Sequence, residues 1–321
     1  MSNRYARIGV QVVLLALVYG IVWALINAGV IDDYIQATMA TICINIILAV
    51  SLNLITGFTG QFSLGHAGFM AIGAYTTALV TMEYPTTWGF LGGVFLGAIL
   101  AAIVGFLIGL PTLRLRGDYL AIATLGMAEI IRILLLNFDF TNGAAGLSGI
   151  PSFVGWTWLF VFTVGTIVLI SNFLHSSHGR ASISIREDEI AAESVGINAT
   201  RAKTLAFTVG AFFGAIAGGL YASYFYFIKP DLFGFLKSID ILVIVVLGGL
   251  GSLTGSIIAA ILLALLQTFL QPFPELRMII YSLALVMIMI FRPQGLMGSR
   301  ELNLASLTRL TRRGRAAEGA S

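Results

Sequence analysis

GRASISIREDEIAAESVGINATRAK, residues 179–203, is the longest run of this 321-residue chain that cannot sit in a lipid bilayer. Arg180, Arg186, Glu187, Asp188, Glu189, Glu193, Arg201 and Lys203 crowd into it between two long apolar stretches. Its middle reads as a short helix, in which Glu189 and Glu193 are four apart and share a face. Ile190, Ala191 and Val195 form a small apolar flank beside them. Gly196 is placed to end that helix in a left-handed conformation. Asn198 or Thr200 can then cap the next helix, which carries on into apolar sequence. A short helix, a glycine stop and a second helix make a compact knob joined firmly to a span. That shape suits a membrane protein receiving mechanical force from a soluble partner. A solvated connector is the plainer reading of the same charges.

The rest of the chain is as apolar as the knob is polar. It is 58% hydrophobic and 10% charged, with a mean hydropathy of +0.95, whereas an ordinary soluble domain carries about 25% charged residues. A soluble fold of this composition would expose large apolar areas and aggregate. The sequence therefore predicts an all-α, polytopic transmembrane helix bundle. With about 20 apolar residues per span, roughly ten spans are read, near residues 8–28, 34–56, 62–82, 88–110, 119–137, 156–174, 204–228, 238–250, 252–271 and 277–291. The first is too long for a signal-peptide core, and no small-residue cleavage site clearly follows it. The eighth is short, so a bent hairpin with the ninth, or a start nearer Leu232, stays open. The expected organisation is one transmembrane domain over residues 1–300, with its polar loop at 175–203, and a disordered basic tail over 301–321.

Orientation follows from the basic residues. Arg4 and Arg7, Arg114 and Arg116, the four basic residues of the knob, and Arg292, Arg300, Arg309, Arg312, Arg313 and Arg315 all fall on one side of a ten-span chain, fourteen of the eighteen in all. That side is then cytoplasmic, and both termini with it. The single cysteine, Cys43, lies in an apolar span and rules out an internal disulfide.

Two glycine-rich interruptions stand out: GFTGQFSLGHAG at 57–68 and GGLGSLTG at 248–255. Backbone that leaves the helix at membrane depth is tolerated where it is buried in protein or lines a wet cavity. Paired breaks in the two halves of a chain point to a translocation pathway. Five spans per half would give an inverted repeat. Gln61, Ser63, His66, Gly248, Gly249 and Gly251 are the pathway and gating candidates from these breaks. Glu129 and Arg132, at i and i+3 in the fifth span, join them either as a pathway lining or as a buried pair fastening that span to a neighbour. His66 reads equally as a hydrogen-bonded packing residue. Asn45 and Asn53 share one face of the second span, as interhelical hydrogen bonds require. Most of the other in-span glycines, Gly93 with Gly97 and Gly214 with Gly218 among them, read as helix-packing positions.

No enzyme constellation is present. The chain has no G-x-x-x-x-G-K-[ST]. His175 and His178 make two ligands at most and His66 has no thiol partner, so neither a metal nor a cofactor is expected. The segments SLNLITGFTGQFSLGHAGFMAIGAY (51–75), GDYLAIATLGMAEIIRILLLN (117–137), TNGAAGLSGIP (141–151), the knob continued to Phe207, ILVIVVLGGLGSLTGSIIAA (241–260) and FRPQGLMG (291–298) together resemble the permeases of branched-chain amino acid ABC importers, and among them the longer, LivM-type subunit. The resemblance covers nearly the whole chain from the second span onward.

That resemblance implies a permease in a bacterial inner membrane, paired with a second permease, two cytoplasmic ATPase subunits and a periplasmic binding protein. It implies that 187–196 is the coupling helix docking into an ATPase groove, which makes Arg186, Glu187, Asp188, Glu189, Ala192, Glu193 and Gly196 the coupling residues. The family's acidic-Ala-Ala-then-Gly pattern is interrupted here by Ile190. Phe138–Gly155 and Lys229–Ser238 are the expected docking surfaces for the binding protein. Urea and short-amide permeases share much of this pattern. An ion-coupled secondary transporter using Glu129, Arg132 and His66, or a passive amide channel, would leave the knob without a role.

Overall fold

A computed structural model describes residues 2–112, 115, 117–273, 279–280, 282–283, 286–287, 290–291 and 295–298. Arg114, Arg116, Arg277, Arg292, Arg300, the 301–321 tail and much of the tenth expected span lie outside them. The helices are α1 (Ser2–Asn27), α2 (Asp33–Asn53), α3 (His66–Glu83), α4 (Thr87–Thr112), α5 (Asp118–Asn137), α6 (Trp156–His175), α7 (Ser177–Glu187), α8 (Glu189–Ser194), α9 (Ala199–Phe225), α10 (Phe235–Gly248) and α11 (Leu253–Phe269). Among the described residues, five helical stretches are long and apolar enough to cross a membrane: Asp33–Phe58, Thr87–Thr112, Asp118–Asn137, Trp156–His175 and Ala199–Phe225. The described chain is mostly helical, as expected. The one departure is a two-residue pairing of β1 (Leu147–Ser148) with β2 (Phe227–Ile228), antiparallel, with Leu147 opposite Ile228.

The centre of the bundle is α3, α4 and α9, and small residues let their backbones touch. A Cβ added at Gly73 would stand 1.9 Å from the Ala215 carbonyl oxygen, and one at Gly218 would stand 1.9 Å from that of Met70. The same residues of α3 also meet α4: Gly97 sits against Gly73 and Gly93 sits against Thr77. In lipid there is no hydrophobic drive between helices, so close van der Waals packing of this kind carries the association. α2 is enclosed by α6, α9, α10 and α11, and its second half is buried throughout from Cys43 to Asn53. By contrast Phe95, Leu96, Ile99, Ile103, Phe106 and Leu107 of α4 are exposed. An apolar outer face around a tightly packed interior is the pattern of a bundle whose solvent is hydrocarbon.

The loop after α5 and the segment after α9 meet at the end of the bundle opposite the knob. Besides the β1–β2 pair, the Ile150 N–H donates to the Tyr226 carbonyl at 3.3 Å. Tyr226 closes α9 with a left-handed φ of 61°. The first segment expected as a docking surface, 138–155, thus pairs with residues 226–228, which lead directly into the second, 229–238.

Candidate coupling and translocation site

The polar knob is a set of three capped helices. Ser176 caps α7, its side chain accepting from the Gly179 N–H. Asp188 leaves helical conformation, separating α7 from α8, and its Oδ1 accepts from the Ala191 N–H at 3.0 Å, which caps α8. α8 ends in a Schellman turn: Ile197 N–H to Ala192 O at 3.1 Å and Gly196 N–H to Glu193 O at 3.0 Å. Gly196 takes φ +90° there, where a side chain would be strained. Asn198 then caps α9, with Oδ1 accepting from Arg201 N–H at 2.9 Å. Ile185, Ala192 and Ala199 form a miniature core for the three helices, flanked by Ile197 and Ala202. Lys203 Nζ binds Glu189 Oε1 at 2.7 Å, fastening α8 to the start of α9. Two large apolar side chains remain outside this core, Ile190 at 74% exposure and Val195 at 77%, with Glu193 exposed between them.

The two glycine-rich breaks come together beneath the knob. α2 loosens into a π-helix at Leu54–Phe58, a geometry that recurs at functional sites. The chain then turns at Gly60, φ +73°, and runs extended to α3. Gln61, Ser63 and Gly65 of this run are buried, while Phe62 is exposed. Gln61 Nε2 donates to the Lys203 carbonyl at 3.2 Å, Leu64 N–H to Thr124 Oγ1 at 3.1 Å, and Ala67 N–H to Ser238 Oγ at 3.3 Å. Ser63 Oγ accepts from Gly65 N–H at 3.4 Å. His66, fully buried, bonds Ser51 Oγ through Nε2 at 2.8 Å and lies against Gly214.

Asn53, at the end of α2, binds the second break. Asn53 donates to the Ser252 carbonyl at 2.9 Å and to Ser256 Oγ at 2.8 Å, and accepts from the Gly251 N–H at 2.9 Å. Gly249 and Gly251 carry φ +112° and +84°. Gly248 touches the Gly255 backbone, and a Cβ on Gly57 would stand 2.4 Å from the Gly251 nitrogen. Buried irregular backbone must find its hydrogen bonds inside the protein, and Asn53 supplies two of them here, to Ser252 O and Gly251 N.

Glu129 and Arg132 form a cluster on α5 with Asp231. Arg132 Nε binds Glu129 at 2.7 Å and Nη1 binds Asp231 at 3.2 Å, which fastens α5 to the 230–233 turn. Asp231 and Ser252 lie in stretches the sequence singles out, Lys229–Ser238 and 248–255, but the sequence did not mark either as a contact residue. Asn53 was legible as a buried amide, but its partners are 199 and 203 residues away. A cavity of about 480 Å³ opens near the ends of α2, α6 and α9 opposite the knob, lined in part by Asp33, Gln36, Trp156 and Tyr224. None of the break residues lines it.

The coupling candidates therefore separate by task. Ala192 is core, Asp188 is a cap, Gly196 is a turn and Glu189 is an internal ion-pair partner. Arg186, Glu187 and Glu193 are all exposed, and Arg186 also reaches the breaks, its Nη1 donating to the Gly57 carbonyl at 2.7 Å.

Broken helices meeting inside an apolar bundle, with a capped polar knob against them, are the architecture of an integral membrane protein with buried irregular backbone. The chain belongs to the family described as branched-chain amino acid transport system / permease component, which matches residues 34–291. It is 39% identical to the high-affinity branched-chain amino acid transport system permease protein LivM of Salmonella typhimurium and of Escherichia coli K12, with 88% of this chain and 73% of those proteins covered. It is 25% identical to the corresponding permease protein LivH of Escherichia coli K12, with 80% of this chain and 92% of that one covered.

Proposed function

We propose that this chain is the permease subunit of an ATP-binding-cassette importer for branched-chain or related apolar amino acids. It pairs with a second permease, as the likeness to both LivM and LivH supports. Two cytoplasmic ATPase subunits drive it and a periplasmic binding protein delivers the substrate. About ten spans, in two halves of five, place both termini in the cytoplasm. The domain then runs over 1–300 with a basic tail behind it. The urea and short-amide reading keeps the same machinery with a different cargo.

The observation that carries the coupling role is the knob's surface. α8 is short, capped at both ends and tied to α9 by Lys203 and Glu189, yet it holds Ile190 and Val195 out to solvent. A rigid element with two apolar anchors amid charge fits a groove in a soluble motor subunit. Force on α8 then passes directly into α9, one of the three central helices. Phe138–Gly155 and Lys229–Ser238, joined through β1 and β2, form one platform for the binding protein. Glu129 and Arg132 act as a structural pair with Asp231, which favours this reading over ion coupling through titrating groups in the membrane.

The test is Ile190→Asp with Val195→Asp in the co-expressed complex. The ATPase subunits are expected to be lost on affinity purification while the second permease is retained. Full ATPase recovery together with normal ATP-driven uptake would refute the docking role.

A further inference from the structure

We infer that Arg186 is a latch that holds the two glycine-rich breaks against each other and releases them when the knob moves. The inference rests on the importer reading above and goes past it, because it moves Arg186 from the docking surface to the inner end of the pathway.

Four contacts place it there. Arg186 Nη1 donates to the Gly57 carbonyl at 2.7 Å. That carbonyl lies in the last turn before the chain leaves the helix, where carbonyls have no partner of their own and carry partial negative charge. A guanidinium is a strong partner for such a group. The stem of Arg186 packs on Gly60, where an added Cβ would stand 3.1 Å from its Cγ. The same Nη1 lies 2.4 Å from where a Cβ on Gly251 would sit. Finally Gly57 and Gly251 touch each other, and Asn53 pins Gly251 in place. One side chain therefore bears on the first break at Gly57 and Gly60 and on the second at Gly251.

Its lever is short. Arg186 is in the last turn of α7, and Asp188 alone separates α7 from the docking helix α8. A shift of α8 of even an ångström or two stretches a 2.7 Å bond past hydrogen-bonding range. Left-handed glycines at 60, 249 and 251 give the breaks the backbone freedom to part. Glu187 holds the other guanidinium nitrogen at 3.2 Å and is itself exposed, so a partner that engages Glu187 also loads the latch.

The test measures leucine imported per ATP hydrolysed by the full complex in proteoliposomes, with the binding protein supplied. In Arg186→Ala that ratio is expected to fall about tenfold or more, with the complex recovered intact. Arg186→Lys keeps a cation for the Gly57 carbonyl and is expected to regain most of the ratio. Arg180→Gln removes another arginine of α7, one that bonds His175 O and neither break, and is expected to match wild type. A residue that merely supports the fold would lower recovery, uptake and hydrolysis together and leave the ratio unchanged. An Arg186→Ala ratio within about twofold of wild type overturns the latch, as does a Lys variant no better than Ala. Wild-type vesicles that import without any ATP requirement refute the importer reading itself.

Discussion

Replacing Gly218 by alanine tests the packing of the central helices directly. The added methyl would stand 1.9 Å from the Met70 carbonyl oxygen and 2.9 Å from the Ala74 nitrogen. Both are backbone atoms, so no side chain can swing aside. Reaching ordinary contact, at about 3.4 Å, requires α3 and α9 to part by roughly 1.5 Å. A radial gap of about 1 Å already forfeits up to half of each dispersion contact along the interface. Overpacking of a tight core costs about 1–3 kcal/mol and sometimes more, and Gly73 against Ala215, in the same interface, is equally close. The gain in helix propensity on going from glycine to alanine returns only about 1 kcal/mol. A net loss of about 2 kcal/mol is expected, about thirtyfold in the folded population. Gly92 is the internal control: it lies in α4 with nothing within 4 Å of an added Cβ, so Gly92→Ala is expected to be neutral or slightly stabilising. Gly97→Ala, with its Cβ 3.1 Å from Gly73 Cα, is expected to fall between. The assay is the temperature at which half of a fluorescently tagged, detergent-solubilised permease pair leaves the monodisperse peak after a fixed heating time. That midpoint ranks variants even where unfolding is irreversible. Gly218→Ala surviving to the same temperature as Gly92→Ala would refute the close-packing argument.

Two further outcomes follow from the polar contacts. Asn53→Ala strips three buried hydrogen bonds from the second break. At about 1 kcal/mol each, more where a partner stays unsatisfied, it should lower the same midpoint strongly and raise proteolysis near Gly249–Gly251; unchanged cleavage there would count against the clamp. Asp231→Asn should change stability by about 0–1 kcal/mol because Asp231 is largely exposed. Arg132→Met, which leaves Glu129 without its cation, should cost clearly more by the same assay; equal effects would argue against a structural pair.

Much of this molecule is written in its order of residues. Apolar runs with few charges demand helices that satisfy their own backbone, so a membrane bundle follows from composition alone. The knob was equally legible, because caps and turns are local: Asp188, Gly196 and Asn198 act within a few residues of themselves. The glycine breaks were visible for the same reason, since glycine and polar residues inside an apolar run interrupt a helix wherever they stand. What the order of residues left open is which distant pieces touch. The Glu189 and Glu193 pair looked alike in sequence, yet one is bound to Lys203 and the other faces solvent. Arg186 read as one more surface charge of the knob and also reaches a carbonyl 129 residues away. Gly92 and Gly218 are the same residue in similar helices, one open and one pressed to backbone. Such distinctions depend on helix rotation and on the approach of segments far apart in the chain. Those are set by the sum of all packing contacts at once, so they are decided only when the whole bundle closes.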